Sequence, residues 1–237
     1  MNGIRYNAVT HVGRVRKINE DAILALPDLG VWVVADGMGG HAAGDFASQT
    51  VVEAVAGLSA DLGPADRMRG LRDAINGAHA TILEEAARHG GVTIGAAVVA
   101  LMLADGHFVA FWAGDSRLYL LRDGAIKMLT TDHSVVAEFV KSGQMTWDEA
   151  EFHPQSNAIT QAVGVGDAPG LEKIRGETRP GDRFLLCSDG LNKHAGFETL
   201  RAALQDTPIE TVTDRLLQIA LDGGGKDNVS IIVVDVP

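Results

Sequence analysis

Six acidic residues stand where a carboxylate is costly. Asp36 ends the apolar run VWVVA, Asp115 follows FVAFWAG, Asp189 follows FLLCS, Asp227 precedes NVSIIVV, and Glu20 and Asp21 lie together in RVRKINEDAIL. A carboxylate at the end of a buried strand must be paired or must hold a metal. Asp-Gly also makes tight turns, and Asp105 and Asp123 are read that way, because an apolar strand continues on both sides of each. Asp36 and Asp189 are followed instead by glycine-rich or polar sequence, so a turn does not account for them. Carboxylate, carbonyl and water oxygens are the ligands that Mg2+ and Mn2+ select. A glycine after the aspartate, here Gly37, lets its own carbonyl approach an ion with no Cβ in the way. Two such ions sharing a hydroxide make a nucleophile at neutral pH and neutralise a phosphoryl transition state. Arg16 offers a planar fork suited to a phosphate. It could equally pair with Glu20, and the spacing leaves both open.

The elements that position these residues follow from periodicity. Residues 29–35 (LGVWVVA) read as a buried strand. Two helical stretches come next. Residues 43–62 place Ala47, Val51, Ala54, Val55 and Leu58 on one face; residues 64–89 place Met68, Leu71, Ile75, Ala78 and Ile82 on one stripe, ended by Gly90 and Gly91. Strands 98–104 and 108–113 flank Asp105-Gly106, and strands 118–121 and 125–129 flank Asp123-Gly124, two hairpin signatures. Residues 134–169 are less regular and more polar. Strand 184–187, a helix carrying Ile209, Val212, Leu216 and Ile219, and strand 229–236 close the chain. Bunched helices and strands joined by tight hairpins predict an antiparallel α+β protein rather than an alternating parallel sheet. Trp32 and Trp112 are read as core, and His79, His89 and His107 as surface or helix-face residues. No repeat or linker marks a boundary, so residues 1–237 are read as one domain.

Composition narrows the function classes. The 31 acids against 20 bases give a net charge of −11, which opposes binding to nucleic acid or to an anionic membrane through charge. Setting the six acids aside still leaves 25 against 20, with no basic stretch interleaved with aromatics, so a metal-dependent nuclease is disfavoured. Cys187 is the one cysteine, which excludes an intramolecular disulfide and a cysteine-based zinc cluster. It lies in an apolar strand, and position 193 is Lys rather than the Arg a cysteine phosphatase needs. The N-terminus has no apolar core of signal type, and the apolar run 94–104 falls short of the roughly 20 residues of a membrane span, so a cytoplasmic location is expected. Gly37-x-Gly39-x-x-Ala42 superficially meets the dinucleotide-binding fingerprint. Asp36 would then face the pyrophosphate, however, and a second helix follows instead of a parallel strand.

Six blocks carry a family resemblance: RxxNED (16–21), DGMGGHxxG (36–44), AGDSR (113–117), TxDHS (130–134), CSDGL (187–191) and KDNVS (226–230). In this order, and from end to end, they resemble the metal-dependent protein phosphatases of type 2C in their bacterial form. The resemblance implies a four-layer α-β-β-α fold, two antiparallel sheets in a central β-sandwich flanked by helices, with residues 134–169 as a variable flap beside the active site. It implies that Asp36 bridges two Mg2+ or Mn2+ ions, with the carbonyl of Gly37 on one of them. Asp189 and Asp227 would complete the first ion's shell, Glu20 and Asp21 would hold the second partly through water, and Asp115 with Asp189 would take a third. Arg16 would grip the substrate phosphate. The implied reaction is hydrolysis of phosphoserine or phosphothreonine on proteins, by in-line attack of metal-activated water, opposing a cognate Ser/Thr kinase. A monomer with phosphoprotein partners, and with neither nucleic acid nor membrane, is expected.

Three positions depart from the family pattern. Met38 stands where many members outside bacteria have a histidine assigned as general acid; Met cannot donate a proton, and His41 is the candidate replacement. Ala96 and Ala97 stand where threonines are usual, and Gln155-Ser156 within HPQSN (153–157) where basic residues are common. The alternative is a phosphatase-like interaction module that has lost catalysis. Met38 and the two alanines favour it, whereas intact Asp36, Asp189 and Asp227 oppose it.

Overall fold

The computed structural model describes residues 3–39, 43–150, 153–156 and 158–237. Two five-stranded antiparallel sheets lie face to face. One has the order β1 (Arg5–His11), β10 (Val229–Asp235), β9 (Arg183–Cys187), β6 (Arg117–Arg122), β7 (Ala125–Met128). The other has the order β2 (Asp21–Leu26), β3 (Val31–Gly39), β4 (Ile94–Ala104), β5 (His107–Ala113), β8 (Glu172–Glu177). Helices α1 (Ala43–Ala56) and α2 (Pro64–Arg88) cover the second sheet, while α5 (Asp189–Asn192), α6 (Phe197–Asp206) and α7 (Val212–Asp222) cover the first. Helices α3 (Val135–Lys141) and α4 (Trp147–Ala150) lie between β7 and β8. This is an antiparallel α+β protein, as the periodicity predicts, in the α-β-β-α sandwich that the family resemblance implies.

Strand side chains alternate between layers. Along β3, Val31, Val33 and Ala35 pack with Val51, Val55, Leu71, Ile75 and Ile82 of the helices. Trp32 and Val34 point the other way, joining Val99, Leu101 and Trp112 and, from the facing sheet, Leu118, Leu186 and Ile232. In β10, Ile231 and Val233 meet Leu200, Leu204 and Leu216, while Ile232 and Val234 turn inward. Both faces of both sheets are therefore covered. That is why β4 reads as an unbroken apolar run although it is antiparallel: every residue up to Leu103 is buried.

The hairpin readings hold in detail. Asp105 and Asp123 have φ of 49° and 52°, and Gly106 and Gly124 follow at 72° and 75°, the two positive values of a type I′ turn. Trp32 and Trp112 are core residues. His89 and His107 are exposed, but His79 is buried, and its Nδ1 accepts the Gly164 N–H at 2.9 Å. Helix α1 stops at Ala56 rather than continuing to residue 62, because Gly57 gives poor helical support; Leu58 still packs on the core beyond it. Strands β1 and β8 are edges of their sheets, part-exposed and mixed in composition, and so carried no clear period; β2, also an edge, is a short apolar run without alternation. No described helix is long and apolar enough to cross a membrane.

Candidate metal and phosphate site

Strand register gathers the acids at one end of the sandwich. Asp21, the first residue of β2, pairs with Asp36 of β3, which pairs on its other side with Ala97 of β4. Asp115 lies in the β5–β6 connection, Asp189 opens α5 two residues beyond the end of β9, and Asp227 lies two residues before the start of β10. Glu20, Asp36, Asp115, Asp189 and Asp227 open onto one cavity of about 260 Å³ together with Arg16, Gly37, Met38, Ala97, Ile159, Lys193 and Asn228. Asp21 is buried behind them at 4% exposure. The structure thus brings together every acid singled out in the sequence, with Arg16 and Gly37 among them. His41 and Asn157 lie outside the described residues.

Close backbone packing sets this geometry. A Cβ on Gly37 would lie 2.1 Å from the Gly44 carbonyl oxygen and 2.5 Å from that of Glu20, so only glycine fits. The Gly37 N–H donates to the Glu20 carbonyl at 3.1 Å, holding the two peptides side by side. Asn228 fastens the incoming loop. Its Nδ2 donates to the carbonyls of Val12 (2.9 Å) and Ile18 (3.0 Å), and its Oδ1 accepts the Glu20 N–H at 2.8 Å. Ser188 links the two sheets: its Oγ donates to Asp21 Oδ2 at 2.8 Å and accepts the Ser230 N–H at 3.0 Å. Arg16 pairs with Asp227 at 2.9 Å rather than with Glu20. Lys193, four residues after Asp189, donates to its Oδ2.

The electrostatics are those of a site built for a cation. Burial pushes Asp21 up to about 7 against the hydrogen bonds of Ser230 and Ser188, and the charges of Asp189 and Asp227 push the same way. Burial, then Asp189 and Asp132, lift Asp115 to about 8, although Lys193 and Arg117 oppose the rise. Asp36 is raised well above the ordinary carboxylate range, first by burial and then by Asp21, Asp189, Asp115 and Asp227. Its carboxylate accepts no hydrogen bond from the described residues. Among those residues, no three carboxylate, imidazole or thiol groups converge at ligand distance on one point. Asp189 and Asp227 are drawn instead onto Lys193 and Arg16. Oxygen-only donors whose negative charge is only partly offset by those two cations fit a hard divalent cation. Cys187 takes no part: it is fully buried and burial lifts its thiol to about 12, as befits a core residue.

Comparison with known proteins accords with this arrangement. A family model for protein phosphatase 2C matches residues 12–224. The chain belongs to the protein phosphatase 2C family. It is 38% identical over 234 residues to the serine/threonine protein phosphatase PstP of Mycobacterium tuberculosis, an alignment covering 98% of this chain and 45% of that protein. The chain therefore spans less than half the length of that relative. Protein phosphatase PhpP of Streptococcus pneumoniae is 34% identical over 239 residues, covering 95% of each. A solved structure of the catalytic domain of PstP in complex with two manganese ions superposes with a TM-score of 0.87 at 37% identity, covering 98% of this chain and 97% of that one.

Within the 2C phosphatase framework, three residues that sequence reasoning passed over do positioning work. Ser188 and Asn228 sit inside the CSDGL and KDNVS blocks, so their motif membership was a usable signal. Lys193 gave only one signal, its spacing of four from Asp189. A larger hollow of about 910 Å³ lies at the opposite end of the sandwich, around Arg5, Arg122 and Arg183. Those arginines are already engaged by Glu210, Asp182 and Asp235, so it offers no comparable free charge.

Proposed function

We propose that this chain is a protein serine/threonine phosphatase that hydrolyses phosphoserine and phosphothreonine using two Mg2+ or Mn2+ ions. The observation that carries the reading is the convergence of Glu20, Asp36, Asp115, Asp189 and Asp227 on a single cavity beside Arg16, with Asp21 buried behind them. Asp36 would serve both ions, with the Gly37 carbonyl on one of them; Asp189 and Asp227 would complete the shell of the first, and Glu20 and Asp21 would hold the second partly through water. When bound, such ions supply an activated water at neutral pH and offset charge on the phosphoryl group.

The protein's own groups do the rest. The Arg16 side chain is 50% exposed at the rim, so its fork can exchange the Asp227 carboxylate for a substrate phosphate. Met38, Ala97 and Ile159 give the cavity apolar walls, and Ile159 comes from the 134–169 segment proposed as a flap. No hydroxyl, thiol or imidazole among the described residues lines the cavity, which supports direct attack by water without a phosphoenzyme. Met38 cannot serve as general acid, so His41 is the residue proposed for that role. The presence of all six acids, gathered at one end of the sandwich, argues for catalysis over a purely interacting module. The names of the relatives support phosphoprotein substrates, and we extend this to a cognate Ser/Thr kinase, a cytoplasmic location and a monomer.

Hydrolysis of an aryl phosphate and of a phosphothreonine peptide tests the reading. Turnover should require Mn2+ or Mg2+, stop with a chelator, and fall at least about 100-fold in Asp36→Asn. Absence of turnover in the wild type, or an undiminished rate in the variant, would refute it.

A further inference from the structure

Asp115 and Asp189 are the pair that the family resemblance assigns to a third ion, but in this chain a cation already stands on Asp189, in the cavity that Asp115 also lines. Lys193 follows Asp189 by four residues, so one turn of backbone places both side chains on the same face. Its ammonium donates to Asp189 Oδ2 and lines the same cavity as Asp115. Side-chain exposure is 22% for Lys193 and 15% for Asp189, so the pair is largely withdrawn from water. Burial alone would lower the lysine's proton affinity. The charge and hydrogen bond of Asp189, with Asp115 and Asp227 behind them, hold it above the ordinary value instead. The same ammonium acts back on Asp115, opposing the rise that burial imposes there.

Charge balance points the same way. Glu20, Asp21, Asp36, Asp115, Asp189 and Asp227 carry six negative charges when ionised, and Arg16 and Lys193 carry two positive ones. The remaining four are the charge of two divalent ions. A third ion would have to displace the ammonium from Asp189 and would leave the lysine's charge in the cavity with two charges in excess, a costly arrangement away from bulk water.

We infer that Lys193 is a built-in counter-ion that takes the place of a third divalent metal between Asp115 and Asp189, making this chain a two-ion enzyme. The inference rests on the two-metal reading above. Lys193 is a positioning residue: it fixes the Asp189 carboxylate and fills the adjoining subsite with a charge that is covalently tethered to the chain.

The test is metal stoichiometry, read independently of turnover. Mn2+ titration by calorimetry and native mass spectrometry should saturate at two ions per chain for the wild type and for Lys193→Arg, which keeps the charge. Lys193→Met, which removes it, should saturate at three. Anomalous diffraction from wild-type crystals grown with Mn2+ should show two manganese peaks, with the Lys193 ammonium between Asp115 and Asp189; this arm does not depend on a variant folding. Three ions in the wild type, or two in folded Lys193→Met, would overturn the inference while leaving the metal reading intact. A wild-type protein that binds no Mn2+ would overturn the metal reading, and this inference with it.

Discussion

Gly37 is the tightest point of the site, and replacing it with alanine separates packing from chemistry. Its φ is not in the left-handed region, so alanine meets no intrinsic backbone strain and the whole effect comes from contact. The new methyl would lie 2.1 Å from the Gly44 carbonyl oxygen and 2.5 Å from that of Glu20, where Cβ atoms essentially never come within 3.0 Å. Both neighbours are backbone, so α1 or β2 must move by roughly 1 Å in a close-packed interior. Overpacking of this kind costs about 1–3 kcal/mol, and two backbone clashes place Gly37→Ala near the upper end. In a chain of this size, about 3 kcal/mol lowers the melting temperature by about 6–12 °C. The same movement displaces Glu20 and the Gly37 carbonyl, so Mn2+ affinity should fall by about 10-fold or more. Urea unfolding in chelator measures the first effect and Mn2+ calorimetry the second. Gly77→Ala is the control. It lies within α2 with nothing inside 4 Å of its new Cβ, and should stabilise by about 0.5–1 kcal/mol. The reasoning fails if Gly37→Ala unfolds at the wild-type urea concentration. It also fails if stability drops while Mn2+ affinity stays unchanged.

Asn228→Ala removes the partner of two carbonyls and one N–H, and should cost about 2 kcal/mol in urea unfolding while weakening Mn2+ binding through the freed Glu20 loop. Arg16→Ala should raise KM for a phosphopeptide about 10-fold or more with a smaller change in kcat, and Arg16→Lys should recover only part, because one ammonium does not replace a planar fork. Stability without metal should run against pH in an unusual direction. Asp21 and Asp115, at about 7 and about 8, keep protons in the folded state that the unfolded chain releases near pH 4. Their stabilising contribution is complete below the unfolded value and is lost as pH climbs toward the folded ones, at about 1.4 kcal/mol per pH unit for each proton. Melting temperature in chelator should therefore fall between pH 5 and 7, and saturating Mn2+ should flatten the profile; a rise over that interval in chelator would contradict the burial of these acids.

Much of the architecture was legible because its signals are local. The two Asp-Gly hairpins need only neighbouring residues to define them, and α2 was bounded nearly to the residue by Pro64 and the paired glycines after it. The edges were not legible. Strands β1 and β8 read RYNAVTH and EKIRGE, patterns with no steady apolar side, because each is completed by a partner strand rather than by its own periodicity. Among site residues, the acids stood out by type and position, whereas Lys193 and Asn228 act through partners that a linear reading does not place. Asn228 serves Val12, Ile18 and Glu20 from more than 200 residues away in sequence.

What the sequence determined by itself was the donor set: oxygen ligands at strand ends, a glycine where a carbonyl must come close, and six ordered blocks of the 2C type. Tertiary structure decided how those groups meet. Pairing β1 with β10 and β2 with β3 joins the two ends of the chain at one end of the sandwich, bringing Arg16 to Asp227 and Asp21 to Asp36. Mutual repulsion among carboxylates, and its partial relief by Lys193, exist only once that convergence has happened. Electrostatic energy depends on distance through space, and a chain read residue by residue contains only distance along itself.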